Sequence, residues 1–341
     1  MERQVSIREI AEAAHVSTAT VSRVFNNSGY VQEGTRQTVL AVAERMHYHP
    51  KQYQKRVRSQ RRTQLVGVVV ADLQNVFFQE IITHLTEVLN AHQIGVILCN
   101  SAESAQQEIR CLDMLEQLHV SGIIISPISE TVSFNADFLK RLHREGVPLI
   151  LVDRDIKGIG LDGVFQDNFA GAVKAVNALL ECGHTRIATI AGPLTSMPGY
   201  DRLNGYLDAL RTAGLPVRNE YICYGDFKLE SGYNHAMTLL KSYPEITALF
   251  CANNLMAVGA LRAIRDLGLS VPEDISVIAY GSIDQFDLYD DARISDLDQP
   301  TDLMGEECGR IMLERLDGTR KRRSEPARRI TYDATLQLKG S

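Results

Sequence analysis

Two hydrophobic periodicities divide the chain into two parts. Between Ser6 and Met46, apolar residues recur three and four positions apart, which is typical of short amphipathic helices. From Leu65 onward, short continuous apolar runs alternate with amphipathic stretches. Uninterrupted apolar runs predict strands that are buried on both faces, and intervening helices predict parallel sheets. We therefore predict a small helical unit followed by a larger α/β unit.

The N-terminal part predicts three helices, with a tight turn between the first two. Ser6 followed by Glu9 is a capping-box pattern, in which each side chain satisfies an amide at the start of a helix. Ser17 can cap a second helix over residues 18–25, and a third is predicted over residues 33–46. Three helices of this size bury little surface, so the unit is predicted to be marginally stable alone.

The outward face of the second helix carries small hydroxyl residues and one arginine. Such a face suits the major groove of DNA, because Ser and Thr bond phosphates or base edges, Arg can fork onto guanine and Ala can touch a thymine methyl group. A solvated helical hairpin is the plainer alternative. The predicted DNA-contacting residues of this region are Ser17, Thr18, Ala19, Thr20, Ser22, Arg23 and Asn26.

The remainder of the chain predicts two doubly wound α/β lobes. The apolar runs from LVGVVVA to ISVIAYG are too numerous for one six-stranded unit. We place lobe 1 at about 64–162 and 295–326, and lobe 2 at about 163–294 and 327–341. Ligands of open α/β sheets lie outside the carboxyl ends of the strands, so polar residues there are candidates for a binding site.

Charge is distributed unevenly along the chain. The whole sequence has 36 Lys and Arg against 42 Asp and Glu, a net charge of −6. Residues 1–62 carry 11 Lys and Arg against 5 Asp and Glu, which leaves about +6 here and about −12 on the remainder. A basic unit attached to an acidic one favours nucleic-acid contact by the first.

Other protein classes lack support in the sequence. No long apolar run and no charged-then-apolar leader is found, and six scattered cysteines without a CxxC pair are typical of reduced thiols. A cytoplasmic protein is therefore expected, with no membrane contact. The absence of GxSxG, HExxH and Walker motifs predicts no catalytic set, no cofactor and no metal site.

One glycine pattern imitates a nucleotide-binding fingerprint. Gly158, Gly160 and Gly163 spell GxGxxG, a motif whose last glycine must lead directly into a helix. Here VFQDN follows, which predicts a strand. We interpret these glycines as the loop where the chain crosses between the lobes.

Three segments make a resemblance specific. VSTATVSRVFNNSGYVQEGTR, GHTRIATIAGP and VPEDISVIAYG resemble the lactose-repressor (LacI/GalR) family of bacterial transcription regulators, and the resemblance covers essentially the whole chain. It implies a helix-turn-helix headpiece over residues 1–49, a hinge over 50–63 and a periplasmic-binding-protein-like core over 64–341. It also implies a homodimeric, effector-controlled repressor on a pseudo-palindromic operator.

The chain departs from the family at the headpiece turn and in the hinge. The family usually has Gly where this chain has His15, a position that ends the first helix in a left-handed conformation. The resemblance assigns DNA contact to Lys55, which replaces a frequent Arg, and to Val57, which replaces a minor-groove Leu wedge. A β-branched wedge is shorter and favours helix less, so we expect a weaker kink in the DNA.

The resemblance also implies an effector cleft between the lobes. Sugar-binding members usually have Asp at the positions of Asn254 and Gly281, and the loss of both carboxylates predicts an anionic sugar derivative clamped by Arg154 or Arg202. Two alternatives to this ligand are a neutral sugar held by amides alone and a degenerate pocket that no longer binds a small molecule. The two arginines could also simply pair with neighbouring aspartates. A purine is not expected, because a purine-binding member has Arg at the position of Ser196. The predicted effector residues are Phe77, Phe78, Arg154, Ser196, Tyr200, Arg202, Phe227, Asn253, Asn254 and Gln299.

Two other functions compete with the regulator. A solute-binding protein would need an export signal and would have no use for residues 1–62. A sugar kinase or dehydrogenase would leave the predicted headpiece unexplained. A regulator accounts for both parts of the chain.

Overall fold

A computed structural model describes residues 6–26, 31–46, 64–128, 133–156, 158–283, 294–317 and 326–339. The chain divides into two compact units, Met1–Thr63 and Gln64–Ser341. The predicted hinge over 50–63, including Lys55 and Val57, lies outside the described residues. Within the described ranges, no helix is long and apolar enough to cross a membrane.

Three helices form the first unit: α1 (Ile7–Ala13), α2 (Thr18–Asn26) and α3 (Glu33–Arg45). The predicted capping box is confirmed, because the Glu9 amide donates to Ser6 Oγ and the Ser6 amide donates to the Glu9 carboxylate. One apolar cluster holds the helices together. Its buried members are Ile10, Ala11, Ala14, Val21, Val24, Phe25, Val39, Val42 and Ala43.

The turn between α1 and α2 has a left-handed residue at the position where the family usually has glycine, as the resemblance predicted. His15 has a φ of 53°. Its amide donates to the Glu12 carbonyl at 3.2 Å, and the Val16 amide donates to the Ala11 carbonyl at 3.0 Å. These two bonds are the Schellman arrangement that usually places glycine at the left-handed position. His15 therefore occupies a backbone conformation that its Cβ disfavours.

Replacement of His15 by glycine should stabilise this unit by about 0.5–1 kcal/mol, because relief of the Cβ clash exceeds the extra freedom of the unfolded chain. Hydrogen exchange on the full-length protein measures the change. We expect amides of α1 and α2 to exchange about two- to five-fold more slowly in His15→Gly. Equal or faster exchange would show that His15 makes a compensating contact.

The second unit contains two six-stranded sheets. The first sheet is parallel throughout and has the order β11-β5-β4-β3-β1-β2. Its strands are β1 (Leu65–Val70), β2 (Gly95–Asn100), β3 (Gly122–Ile125), β4 (Leu149–Val152), β5 (Asp162–Gln166) and β11 (Arg329–Tyr332).

The second sheet has the order β12-β10-β9-β8-β6-β7 and is parallel except for β12 at its edge. Its strands are β6 (Ile187–Ala191), β7 (Ile222–Tyr224), β8 (Ala248–Cys251), β9 (Ser276–Tyr280), β10 (Ser295–Asp298) and β12 (Thr335–Gln337).

Helices cover both faces of each sheet, which confirms the predicted pair of doubly wound lobes. The first lobe has α4 (Val76–Ala91) and α11 (Thr301–Leu316) on one face, and α5 (Ala105–Gln117) and α6 (Ser133–Arg144) on the other. The second lobe has α7 (Asn168–Glu181) and α8 (Met197–Thr212) on one face, and α9 (Leu229–Ser242) and α10 (Asn254–Asp266) on the other. A short 3-10 turn, Asn219–Tyr221, precedes β7.

The sequence did not predict α11. Glycine is a poor helix former, and this helix contains Gly305 and Gly309. Both glycines face α4 at close range. A Cβ at Gly305 would lie 2.6 Å from the Ile81 carbonyl oxygen, and one at Gly309 would lie 2.8 Å from Val88 Cβ. The residues that make the local pattern weak are therefore the ones that allow the two helices to approach.

Each of the three predicted crossings between the lobes comes one strand too early. β5 pairs with β4 in the first sheet, so the chain crosses after Gln166 and not at about 162. β10 pairs with β9 in the second sheet, so the predicted lobe 1 segment 295–326 begins one strand later, with α11 packed on the first sheet, the lobe predicted for these residues. β11 pairs with β5 in the first sheet, so the predicted lobe 2 segment 327–341 likewise begins one strand later, at β12. An apolar run shows that a strand is buried but does not show which sheet it joins.

The glycine-rich loop at residues 158–163 was predicted to cross between the lobes, and that prediction was wrong. The loop leads from β4 into β5 within one sheet and is not a crossing between lobes. Gly163 lies inside β5. No helix follows it directly, so the geometry of a nucleotide-binding turn is not present here.

Candidate functional site

A cleft lies between the lobes, where the carboxyl ends of both sheets meet. Its residues follow β1, β2 and β4 in the first sheet and β6 to β10 in the second. The lining residues are Asp72, Asn75, Phe77, Phe78, Glu103, Asp153, Arg154, Pro198, Arg202, Asp226, Phe227, Lys228, Asn253, Asn254, Tyr280 and Gln299.

Eight of the ten residues predicted to bind the effector line this cleft. The exceptions are Ser196 and Tyr200. Ser196 caps α8, since its Oγ accepts the Gly199 amide at 3.2 Å and donates to the Pro193 carbonyl at 3.0 Å. Tyr200 is 56% exposed and does not line the cleft. Because α8 begins at Met197, Ser196 is its N-cap and Tyr200 lies in its first turn.

Eight lining residues were not among the ten predicted: Asp72, Asn75, Glu103, Asp153, Pro198, Asp226, Lys228 and Tyr280. Glu103 comes three residues after β2, so it stands at the end of a strand in the same way as Asp72 after β1 and Asp153 after β4. The rule that located the other residues could have found it. Lys228 is the N-cap residue of α9 and makes no side-chain capping bond.

Arg154 is buried and paired with Glu103. Its Nη1 and Nη2 donate to the two carboxylate oxygens of Glu103 at 2.9 and 2.6 Å. Arg154 Nε lies 3.7 Å from Asp153 Oδ2, which is beyond hydrogen-bond distance. Asp155, which we had considered as a partner, pairs with Arg329 at 2.5 Å. The terminal nitrogens of Arg154 are therefore occupied by a carboxylate of the protein itself.

Arg202 is buried and bonded to neutral groups of the second lobe. Its Nε donates to Asn168 Oδ1 at 2.8 Å, and its Nη1 donates to the Ala252 carbonyl at 2.6 Å. The guanidinium carbon lies 3.7 Å from the centre of the Tyr280 ring, which is a cation–π contact. Burial lowers the Arg202 pKa, although an arginine stays charged. Two of the three Arg202 nitrogens, Nε and Nη1, are therefore bonded within the lobe, and the predicted clamping of an anion by Arg154 or Arg202 stays a prediction.

Asp153 is a buried carboxyl group with an unfilled bonding position. It is 4% exposed, and its Oδ1 has no hydrogen-bond partner. Burial raises the Asp153 pKa, and the charges of Arg154 and Arg202 oppose that shift. An unpaired polar atom buried in a cleft is a position where a ligand or water can bond.

Backbone strain is concentrated around this cleft. Residues with a Cβ and a positive φ include Ala102 (49°), Glu103 (54°), Asp153 (65°) and Phe227 (68°). Such conformations are unfavourable and persist where the surrounding structure enforces them, which is common in binding sites.

The glycine at 281 is explained by its surroundings. Gly281 has a φ of 98°, and a Cβ there would lie 2.7 Å from Gln299 Oε1. Gln299 Nε2 in turn donates to Gln166 Oε1 at 2.7 Å. This bond joins the end of β5 to the segment after β10, two places where the chain crosses between the lobes. An aspartate at 281 would adopt a strained backbone conformation and would require the Gln299 side chain to move.

The two asparagines at the start of α10 differ in their bonding. Asn253 Oδ1 accepts the Met256 amide at 2.9 Å, and its Nδ2 donates to the Phe227 carbonyl at 2.8 Å. Asn254 Oδ1 accepts the Leu255 amide at 2.8 Å, but its Nδ2 reaches the Ser282 carbonyl only at 3.4 Å. Asn253 is therefore a cap, whereas Asn254 keeps a donor for a ligand.

The first unit presents the predicted face of α2. Thr18, Ala19 and Arg23 are exposed, while Val21 and Val24 are buried. Ser17 Oγ accepts the Thr20 amide at 3.1 Å and bonds Thr20 Oγ1 at 2.9 Å. Ser22 is half-buried on the same helix, and Asn26 ends it. Roles in DNA contact stay predictions for all of these residues.

Comparisons with known proteins agree with this architecture. Residues 6–51 match "Bacterial regulatory proteins, lacI family", and residues 63–336 match "Periplasmic binding proteins and sugar binding domain of LacI family". The chain is 32% identical over 317 residues to the HTH-type transcriptional repressor PurR of Yersinia pestis (strain Pestoides F), covering 93% of this chain and 92% of that one.

Two solved structures share the fold over nearly the whole chain. The transcriptional regulator CelR–cellobiose complex is 29% identical with a TM-score of 0.72, covering 99% of this chain and 100% of that one. The Lac repressor bound to ONPG in the repressed state is 25% identical with a TM-score of 0.70, covering 99% and 100%. This protein therefore belongs to the LacI family of bacterial regulatory proteins.

Proposed function

We propose that this protein is a cytoplasmic transcriptional repressor whose affinity for operator DNA is controlled by a small sugar or sugar derivative. The observation that carries the proposal is the pairing of two sites on one chain. One unit exposes Thr18, Ala19 and Arg23 on a helix after a tight turn, and the other unit encloses a polar and aromatic cleft between two lobes.

The α2 face would enter the major groove. Arg23 can donate two bonds to guanine, Ala19 can contact a thymine methyl group, and the hydroxyl residues can bond phosphates. Lys55 and Val57 would add backbone and minor-groove contacts, as the resemblance implies. One such helix covers only a half-site, so a two-fold symmetric dimer on a pseudo-palindromic operator is the economical arrangement.

Exposed apolar residues support a homodimer. β2 is an edge strand of the first sheet and exposes Leu98, and the adjoining α5 exposes Met114 with Leu118 directly after it. β7 is an edge strand of the second sheet and exposes Tyr224. Large apolar side chains at open sheet edges are usually covered by a partner, and a second copy of this chain would cover both edges at once.

A sugar suits the chemistry of the cleft. Phe77, Phe78 and Phe227 offer aromatic surface, while Asn254 and Gln299 offer amide groups. Sugars combine apolar ring faces with hydroxyl groups, so a cleft that mixes aromatic and polar side chains complements them. The similarity to a regulator that was solved with cellobiose supports the same class of ligand.

Selection of binding sites from random duplex DNA tests the DNA-binding part of the proposal. We expect the full-length protein to enrich a pseudo-palindrome with half-sites centred about one helical turn apart, or a multiple of that spacing. Sedimentation of the complex should give two chains per site. Recovery of DNA without any common sequence, at an affinity that depends on salt alone, would contradict the proposal.

A further inference from the structure

We propose that Glu103 sets the charge of the ligand: by occupying Arg154, it makes the cleft accept the hydroxyl groups of a neutral sugar and reject the corresponding sugar acid or phosphate. This inference rests on the proposed sugar-binding function and names the class of sugar. It replaces the expectation from the sequence that the ligand is anionic.

Glu103 holds the place that a ligand carboxylate would take on Arg154. Both terminal nitrogens of the guanidinium bond its carboxylate, at 2.6 and 2.9 Å. Planar arginine recognises carboxylates and phosphates through this paired geometry. Arg154 is only 4% exposed, so it has no second open side on which to bind an anion in the same way.

The bonding positions left over match a hydroxyl group. Arg154 Nε and Asp153 Oδ1 are both buried and without a hydrogen-bond partner, and both side chains line the cleft. Arg154 Nε is a hydrogen-bond donor, and Asp153 Oδ1 is an acceptor. A sugar hydroxyl can accept from the first and donate to the second. A carboxylate or phosphate oxygen only accepts, so it would face the Asp153 oxygen with nothing to donate.

The charges around the cleft also disfavour an anion. Among the described residues, four acidic side chains line it, with three cations. The acidic residues are Asp72, Glu103, Asp153 and Asp226, and the cations are Arg154, Arg202 and Lys228. Glu103 matches Arg154, and Arg202 already bonds Asn168 and the Ala252 carbonyl through Nε and Nη1. The cationic groups of these described residues that an anion could still meet are therefore Lys228 and the second terminal nitrogen of Arg202.

The backbone that carries Glu103 is held in an unfavourable conformation. Ala102 and Glu103 are consecutive left-handed residues. The Glu103 amide donates to the Ala71 carbonyl at 2.9 Å, and the Ala102 amide donates to Asn100 Oδ1 at 3.1 Å. These bonds tie the loop to the ends of β1 and β2 and hold the Glu103 backbone where its carboxylate reaches Arg154.

Calorimetric titration of the full-length protein tests the proposal. The probes are D-glucose, D-galactose, D-ribose and cellobiose, together with glucuronate, galacturonate, ribose 5-phosphate and cellobionate. For the neutral probe that binds, we expect wild-type protein to prefer it over its acid or phosphate partner by about tenfold or more. Glu103→Gln keeps the shape of the side chain, removes its charge and frees Arg154. It should move this ratio toward the anionic partner by about tenfold or more.

Glu116→Gln is the matched control. Glu116 pairs with Arg141 through two bonds, at 2.6 and 3.0 Å, in the same lobe, but it does not line the cleft. Its replacement removes the same charge from a similar ion pair and should change the ratio by less than about threefold. Glu103→Asp, which keeps the charge, should keep the neutral preference.

Each outcome has a separate meaning. Preference of the wild-type protein for the anionic partners would overturn the role of Glu103 while leaving the sugar-binding function in place. Equal shifts in Glu103→Gln and Glu116→Gln would overturn it as well, because the change in the ratio would then not come from the pair in the cleft. Failure of every probe to bind the wild-type protein would count against the proposed sugar-binding function itself. If Glu103→Gln does not fold, the ratio measured on the wild-type protein still decides.

Discussion

Arg23→Ala is expected to abolish discrimination between the selected operator and random DNA. Arg23 is exposed on α2, where it is the one cation among small residues. A bidentate contact from arginine to guanine is worth about 1–3 kcal/mol at each half-site. Loss of both contacts in a dimer should therefore lower specific affinity by about 30-fold or more. Fluorescence anisotropy at fixed salt, on operator and on scrambled duplex, measures the effect.

Arg45→Ala is the control for charge. Arg45 is also an exposed arginine of the first unit, but it lies at the end of α3. Its removal should weaken binding to operator and to scrambled DNA by similar factors, because phosphate contacts carry no sequence information. If Arg23→Ala selects its operator as well as the parent does, the assignment of α2 to the groove is wrong.

Arg202→Ala is expected to destabilise the core by about 3 kcal/mol or more. The change leaves two acceptors, Asn168 Oδ1 and the Ala252 carbonyl, buried without their donor. Each such loss costs about 1–3 kcal/mol, and the cavity beside Tyr280 adds to it. Urea unfolding of the full-length protein, followed by circular dichroism, measures the change as a lower midpoint.

Arg211→Ala serves as the matched control. Arg211 is on the same helix, α8, but it is exposed. Its removal should change the free energy of unfolding by less than about 0.5 kcal/mol. A loss below 1 kcal/mol in Arg202→Ala would show that water replaces the guanidinium and that the residue does not hold α7 and β8 together.

The first unit could be predicted from its sequence because its determinants are local. A capping box, a helical apolar period and a serine N-cap each act within four residues. The left-handed conformation of His15 was likewise predicted, since a glycine position in the family implies it. In the core, the alternation of apolar runs and amphipathic stretches predicted both sheets and most of the helices.

Long-range pairing could not be predicted in the same way. Whether β5, β10 and β11 join one sheet or the other depends on partners that are distant in the chain. The pairing of Arg154 shows the same limit. Neighbouring aspartates were considered as its partners, yet the carboxylate that pairs with it is Glu103, 51 positions away. Local sequence does not reveal which strand ends meet, so it could not show that Glu103 pairs with Arg154.

Ligand control of DNA binding is the central claim, and a linkage measurement tests it most directly. The operator affinity of the wild-type protein is measured with and without a saturating sugar, and the sugar affinity is measured with and without operator. Thermodynamic linkage requires the same factor in both directions, and we expect it to be about fivefold or more. A sugar that binds in the cleft with equal affinity to free and operator-bound protein would contradict the account.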